Sequence, residues 1–166
     1  SDLVINVYIS GIDSRGGINE VSRSDVNIIM SINKKTHNIL MINTPRDYYV
    51  PLSISNGVRD KLTHAGVYGI ECSRNTLEML YGIQIDYYVK VNFSGFEKII
   101  DSLGGVDVTL DYSATLSQAG NLTVHNGVNH FNGEQALAFA RERYAYSDGD
   151  RQRGRNQMMI MEAAIK

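Results

Sequence analysis

The chain has one cysteine, two prolines and no tryptophan in 166 residues. The lone Cys72 excludes an intramolecular disulfide and argues against a thiolate zinc site, which needs several sulfurs. A single thiol of this kind is ordinarily a small buried hydrophobe. No stretch approaches the ~20 apolar residues that cross a bilayer. The chain opens on SDLVINVYISG, without an initiator methionine or a signal peptide. It reads as a domain excised from a longer protein, with any membrane anchor outside it. A net charge of -2 supplies no bulk positive field for nucleic acid, although a local basic pocket remains open. Familiar catalytic signatures are missing as well. GIDSRGG is glycine-rich but lacks the order of a phosphate-binding P-loop, and there is no GxSxG. His37, His125 and His130 have no metal-ligand spacing.

What is present is an ordinary globular composition, 43% hydrophobic and 20% charged, in a chain long enough for one domain with its own core. LVINVYIS (3–10) is a near-continuous apolar run and predicts a buried strand. DVNIIMSIN (25–33) alternates, with Val26, Ile28, Met30 and Ile32 on one face. ILMIN (39–43) is a third strand, paired with the second across the turn KKTHN. The glycine stop after CSRNTLEMLYG (72–82) predicts a helix, followed by a strand at 86–93. SGFEKIIDSLGG (94–105) predicts a second helix, with Ser94 as N-cap, Glu97 completing a capping box and two glycines as the stop. VDVTL (106–110) is a strand, Asn126-Gly127 a turn, and 133–143 and 149–166 are helices. Hairpins followed by alternating strands and helices predict an α/β fold, a three-layer α-β-α arrangement. Its central sheet is mixed and partly antiparallel, flanked by helices.

The charges are unevenly spread. Residues 141–157, RERYAYSDGDRQRGRNQ, hold five of the ten arginines. If the first strand ends near Gly11 and the second begins near Asp25 in antiparallel pairing, Asp13 and Asp25 share one sheet edge. The third strand ends at that edge and leads into TPRD, which brings Arg46 there, and Arg23 precedes Asp25 by two positions. Arg143 continues the apolar face of Ala136, Phe139 and Ala140, where an unpaired guanidinium is costly. Arg153 and Gln157 share a face in the first turns of the last helix, where an anion offsets the crowding of positive charge against the dipole. Two carboxylates with several arginines suit Mg2+ and phosphate groups. Simpler readings stand beside this one. Aspartates near strand ends are often turn formers, and arginines interleaved with acids often form a solvated face. Lys61 reads as a surface lysine, His64 as a satisfied and partly buried histidine, and QMMIM (157–161) as core.

The ordered set SGIDSRGG, SRSDVNIIMSIN, INTPRD, DKLTHAG, YGIQIDYYVKVNFSGFEKIIDSLGGVDV, FNGEQALAFARER and GDRQRGRNQ resembles the LytR–CpsA–Psr family over residues 6–165, nearly the whole chain. Members are membrane-anchored, extracytoplasmic phosphotransferases, mainly of Gram-positive bacteria. They move a wall glycopolymer (teichoic acid, capsule or another polysaccharide) from a polyprenyl pyrophosphate carrier onto peptidoglycan. The resemblance implies a single catalytic domain over 1–166, with the membrane reached through an anchor outside this chain. It implies that Asp13 and Asp25 hold Mg2+, with Mn2+ as an alternative. Arg23, Arg46, Arg141, Arg143, Arg153 and Gln157 grip the pyrophosphate. Asp13, Arg23, Asp25, Arg46 and Arg143 carry catalysis. Lys61, in the Lys-x-x-His-Ala element, lines the site, and Asp150 orients nearby arginines. The polyprenyl tail would lie in an apolar tunnel walled by residues 76–83, 93–100 and 158–165. Asn156 stands where many relatives carry arginine, and Arg151 where they are often apolar, so Arg151 and Arg155 are left outside the primary site.

A sugar hydroxyl of peptidoglycan would attack the glycan-side phosphorus, and polyprenyl phosphate would leave. The base that takes the hydroxyl proton is left open: Asp13 or Asp25 could assist, but a metal-bound carboxylate is a poor base. Two other classes compete: a non-catalytic binder of polyprenyl phosphate or anionic glycan, and a transcription regulator. Net charge -2 and the lack of a helix-turn-helix weigh against the latter, and no nucleic-acid partner is expected.

Overall fold

A computed structural model describes residues 3–12, 23–54, 56, 58–117, 120–142 and 149–165, the last segment as backbone alone over 149–151. The chain divides into two compact units, Ser1–Phe93 and Ser94–Lys166.

The first unit is built on a mixed four-stranded sheet in the order β3-β2-β1-β6. β1 (Val4–Ile12) pairs antiparallel with β2 (Ser24–Asn33), and β2 with β3 (Ile39–Asn43). The hairpin turns through His37, whose φ of 61° is left-handed. β4 (Tyr49–Pro51) and β5 (Arg59–Lys61) form a separate short hairpin. After it come α1 (Leu62–Ala65), a 3-10 turn at Gly66–Tyr68, and α2 (Ile70–Tyr81). The chain then returns as β6 (Tyr87–Val91), parallel to β1. A parallel return needs a long crossover, and α2 supplies it. Gly82, left-handed at φ 64°, ends the helix. The returning strand is locked at its start. Asn6 donates its backbone N–H to Asp86 Oδ2 (2.9 Å) and its side-chain amide to the Gln84 carbonyl (2.8 Å). Tyr8, Ile29, Leu62, Leu77 and Ile85 form the core of this unit. The α/β class and the mixed, partly antiparallel sheet are those the sequence predicts.

Two sequence expectations shift. β2 does not bury one face alone, because the adjacent Ile28 and Ile29 are both buried. The helix expected from Ser94 begins one residue earlier: α3 spans Phe93–Ser102, so Ser94 lies inside the first turn rather than capping it. Its end at Gly104 and Gly105 is as expected, both with positive φ.

The second unit packs α3 with β7 (Val106–Leu110), β8 (Ala114–Leu116), β9 (Leu122–Val124), β10 (Gly127–Phe131), α4 (Gly133–Arg141) and α5 (Gly149–Ile165). β7 pairs with β10 and β8 with β9, both antiparallel. Val106, Val108 and Leu110 alternate inward from β7, as a half-buried strand should. They meet Phe131, Phe139 and Ile160, and the Phe131 and Phe139 rings are tilted at 5.2 Å. Asn132 caps α4 in a full capping box with Gln135.

One close approach bears on the site. A Cβ on Gly11 would stand 2.8 Å from Val26 Cβ on the paired strand. Gly11→Ala is therefore expected to destabilise the protein by about 1–3 kcal/mol, read as a lower urea midpoint with an unchanged m-value.

Candidate functional site

β1 and β2 pair in register from Val4↔Asn33 to Gly11↔Val26, and the next pair is Ile12↔Ser24. Asp25 is thus the extra residue of a β-bulge. In a regular strand Ser24 and Asn27, three positions apart, would face opposite ways. The bulge turns both to the same side. There Ser24 Oγ donates to Asn27 Oδ1 (2.6 Å) and meets Ser10 Oγ (2.8 Å). The Tyr8 hydroxyl also donates to Asn27 Oδ1, and the Asn27 amide donates back to the Ser24 carbonyl (3.2 Å). All four residues are buried, and burial pushes the Tyr8 phenol above its ordinary pKa, keeping it a neutral donor. This network explains how a bulge persists at the sheet's end and delivers Asp25 to the rim.

Arg46 comes to the same place from β3. The Thr44 N–H donates to the Asn27 carbonyl (2.9 Å), and Thr44 Oγ1 meets the Tyr81 hydroxyl (2.6 Å). Pro45–Tyr48 then forms a turn closed by Tyr48 N–H to the Pro45 carbonyl (3.0 Å), with Arg46 and Asp47 at its centre. Arg46 Nη1 lies 2.7 Å from Asp25 Oδ1, both side chains mostly buried. Asp47 Oδ1 is shared more loosely by Arg46 Nε (3.9 Å) and Lys61 Nζ (3.6 Å). The turn is clasped by α1. Leu62 N–H donates to the Tyr48 carbonyl and Thr63 N–H to the Arg46 carbonyl, both at 2.8 Å. The first donors of that short helix, which have no partner within it, thus fix the Arg46 turn and place Lys61 beside it.

Asp25 and Arg46 are therefore brought together at one sheet edge as strand pairing predicts, with Lys61, which the residues alone read as a surface lysine and the resemblance places at the site, beside Asp47, and Arg23 exposed immediately before β2. Asp13 lies outside the described residues. Sequence reasoning missed Asp47 and the Asp60–His64 pair. His64 Nδ1 is 2.8 Å from Asp60 Oδ1, which also accepts the Lys61 N–H at 2.7 Å. The two lie four positions apart where β5 gives way to α1, close enough in the chain for the side chains to meet.

In the second unit, Arg141 is the exposed last residue of α4 and Arg153 is half-buried on α5. The α4 face on which the sequence places Arg143 is followed as far as Arg141. Glu142 leaves helical geometry at φ -67°, ψ 133°, and Arg143 itself lies outside the described residues. Asp150 falls in the first turn of α5, its side chain and that of Arg151 outside the described residues. Gln157 is partly committed to structure, donating its amide to the Ala140 carbonyl at 3.4 Å. Asn156 is wholly buried and latches α5 to α4, its amide donating to the Phe139 carbonyl (3.1 Å) and its oxygen accepting from Gln152 (2.9 Å). An arginine at that position would bury a charge. Arg155 is exposed and donates along its own helix to Gln152 Oε1 (3.2 Å).

Among the described residues no three acidic, histidine or cysteine side chains cluster as a ready metal cage. The Asp25 carboxylate is a hard oxygen donor of the kind Mg2+ takes, one or two at a time, beside phosphate oxygens. Asp25 is the described residue that would hold such an ion, which this lining fits by donor type. The Asp60 carboxyl is held below its ordinary 3.8 by the His64 hydrogen bond, then by the Lys61 N–H. A depressed folded pKa means that the pair's stabilisation is complete above about pH 4 and is lost as pH falls through the folded value. In a carbon-detected NMR titration Asp60 is expected to titrate below 3.8, and His64→Ala to move it upward.

The family model for the LytR_cpsA_psr family matches residues 1–166. A polyisoprenyl-teichoic acid–peptidoglycan teichoic acid transferase, TagU of Bacillus cereus, is 35% identical over 167 residues, covering 98% of this chain and 52% of its own. TagT of Bacillus subtilis, of the same description, is 36% identical over 169 residues, covering 96% and 51%. The chain spans about half the length of these curated relatives. The solved structure of the LytR-CPS2A-psr family protein YwtF (TagT) with bound octaprenyl pyrophosphate lipid aligns with a TM-score of 0.80 at 33% identity. That alignment covers 98% of this chain and 63% of the other. Strand-end carboxylate, arginine turn and whole-chain match agree, and the chain belongs to the LytR–CpsA–Psr family.

Proposed function

We propose that the protein transfers a wall glycopolymer from a polyprenyl pyrophosphate carrier onto peptidoglycan, on the outer side of the cell membrane. The observation that carries this reading is the Asp25–Arg46 pair at the β1–β2 bulge, with Lys61 beside it. It joins a hard anionic ligand to fixed guanidinium donors, the combination that a pyrophosphate with a divalent cation requires. Relatives named as teichoic acid transferases, and a neighbour holding octaprenyl pyrophosphate, support the choice of substrate. No described helix is long and apolar enough to cross a membrane.

The protein's task in such a reaction is positioning and charge stabilisation. Asp25, with Asp13 as the second ligand, would hold Mg2+ or Mn2+, which neutralises phosphate oxygens and polarises the phosphorus. Arg46 is presented by a turn bonded on both sides, so its fork is oriented before substrate arrives. Arg23 adds positive charge just ahead of β2 and Lys61 beside the arginine turn. Arg141, Arg143, Arg153 and Gln157 are assigned to the pyrophosphate by the family resemblance, and Asp150 to orienting those arginines. The acceptor hydroxyl attacks the glycan-side phosphorus, forming a new phosphodiester, and the bond to the bridging oxygen breaks to release polyprenyl phosphate.

The test is transfer of a short-chain polyprenyl pyrophosphate-linked glycan to peptidoglycan fragments by the purified protein. Product is expected with Mg2+ or Mn2+ and none with a chelator. Arg46→Ala is expected to slow transfer by about 10²-fold or more. Saturable donor binding without turnover under any metal condition would convert the reading to a non-catalytic lipid-phosphate binder.

A further inference from the structure

Resting on the function proposed above, the geometry points to His64 as the general base that takes the proton from the attacking hydroxyl, with Asp60 as its positioning partner. The reaction needs such a group, and Asp25 is poorly suited. Its carboxylate lies 2.7 Å from the Arg46 guanidinium, and a metal ligand has its lone pairs engaged. His64 has the opposite disposition. Asp60 Oδ1 accepts from the Lys61 backbone N–H and from His64 Nδ1. An ionised carboxylate only accepts, so Nδ1 carries the hydrogen and the lone pair lies on Nε2, directed away from Asp60. The same arrangement holds the imidazole ring in one orientation and stabilises the imidazolium once a proton arrives.

Position supports the role. His64 follows Thr63, whose N–H is bonded to the Arg46 carbonyl at 2.8 Å, so the base and the arginine turn are parts of one hydrogen-bonded unit. Its side chain is 35% exposed, open enough to meet a substrate hydroxyl. The charged residues on the elements packed against α1 are Asp25 on β2, Arg59, Asp60 and Lys61 on β5, and Glu71, Arg74 and Glu78 on α2. Asp25 pairs with Arg46, Arg74 with Glu78, and Asp60 with His64. A second histidine–aspartate pair offers a contrast. His130 Nδ1 also lies 2.8 Å from Asp107 Oδ1, but the two stand directly opposite on paired strands and both are largely exposed. That is a cross-strand surface pair on two strands that carry no predicted site residue.

In the step itself, the hydroxyl oxygen bonds to the glycan-side phosphorus as its proton passes to Nε2. The phosphorus–bridging oxygen bond breaks, and the electron pair leaves on polyprenyl phosphate.

The experiment measures kcat against pH for Mg2+-dependent transfer at saturating acceptor, with donor affinity measured separately by titrating a short-chain polyprenyl pyrophosphate. His64→Gln is expected to lower kcat by about 10²-fold or more, leave donor affinity within about twofold, and remove the acidic limb of the profile. Asp60→Asn is expected to give an intermediate loss and a displaced limb. Imidazole added to His64→Ala is expected to restore part of the rate. His64→Gln retaining kcat within about threefold, or losing donor affinity in step with rate, overturns the assignment. Wild-type protein that neither binds nor turns over the donor overturns the proposed function, and the base with it.

Discussion

The first unit depends on a buried polar knot at a strand end. Tyr8, Ser10, Ser24 and Asn27 exchange hydrogen bonds with no access to water. Unsatisfied, these groups would cost about 1–3 kcal/mol each. The knot closes only if Ser24 and Asn27 face the same way, which requires the extra residue between Gly11↔Val26 and Ile12↔Ser24. That residue is Asp25. The same bulge that satisfies the core therefore sets the register of the carboxylate, and Asn27, through its carbonyl, also anchors Thr44 at the head of the arginine turn. Interior and rim are specified by one local irregularity.

From this knot the rest of the site follows as a chain of backbone bonds. Asn27 holds Thr44, Tyr81 holds the Thr44 hydroxyl, and the Pro45–Tyr48 turn presents Arg46 and Asp47. α1 then caps its own first turn with the carbonyls of Arg46 and Tyr48. Two motifs separated in sequence, TPRD and DKLTHA, become a single element. Side chains carried this way lose little freedom on meeting a ligand, which is the property expected of a preorganised anion site.

Much of this was legible in sequence, for identifiable reasons. Apolar runs and turn residues gave the hairpin of β2 and β3, and strand-end logic brought Asp25 and Arg46 to one edge. The bulge was not legible, because one extra residue changes side-chain parity without changing composition. The three-residue strands β4, β5, β8 and β9 are too short to show a period. α4 ends where Glu142, fully buried, leaves the helix, an end that no glycine or proline marks in sequence. The departure at Asn156 has a packing reason: its amide latches two helices. Of the arginines in 141–157, three have described side chains. Arg155 is tied along its own helix, while Arg141 and Arg153 stand on separate elements.

The proposed transfer requires that the attacked atom be phosphorus, and the lipid product reports this directly. Mass spectrometry of the lipid released during transfer distinguishes the two bonds that could break. Attack on the glycan-side phosphorus leaves polyprenyl monophosphate and carries one phosphate onto the acceptor, which is the predicted result. Polyprenyl pyrophosphate as the released lipid, with no phosphate in the new linkage, would mean attack at the sugar carbon and would contradict the account.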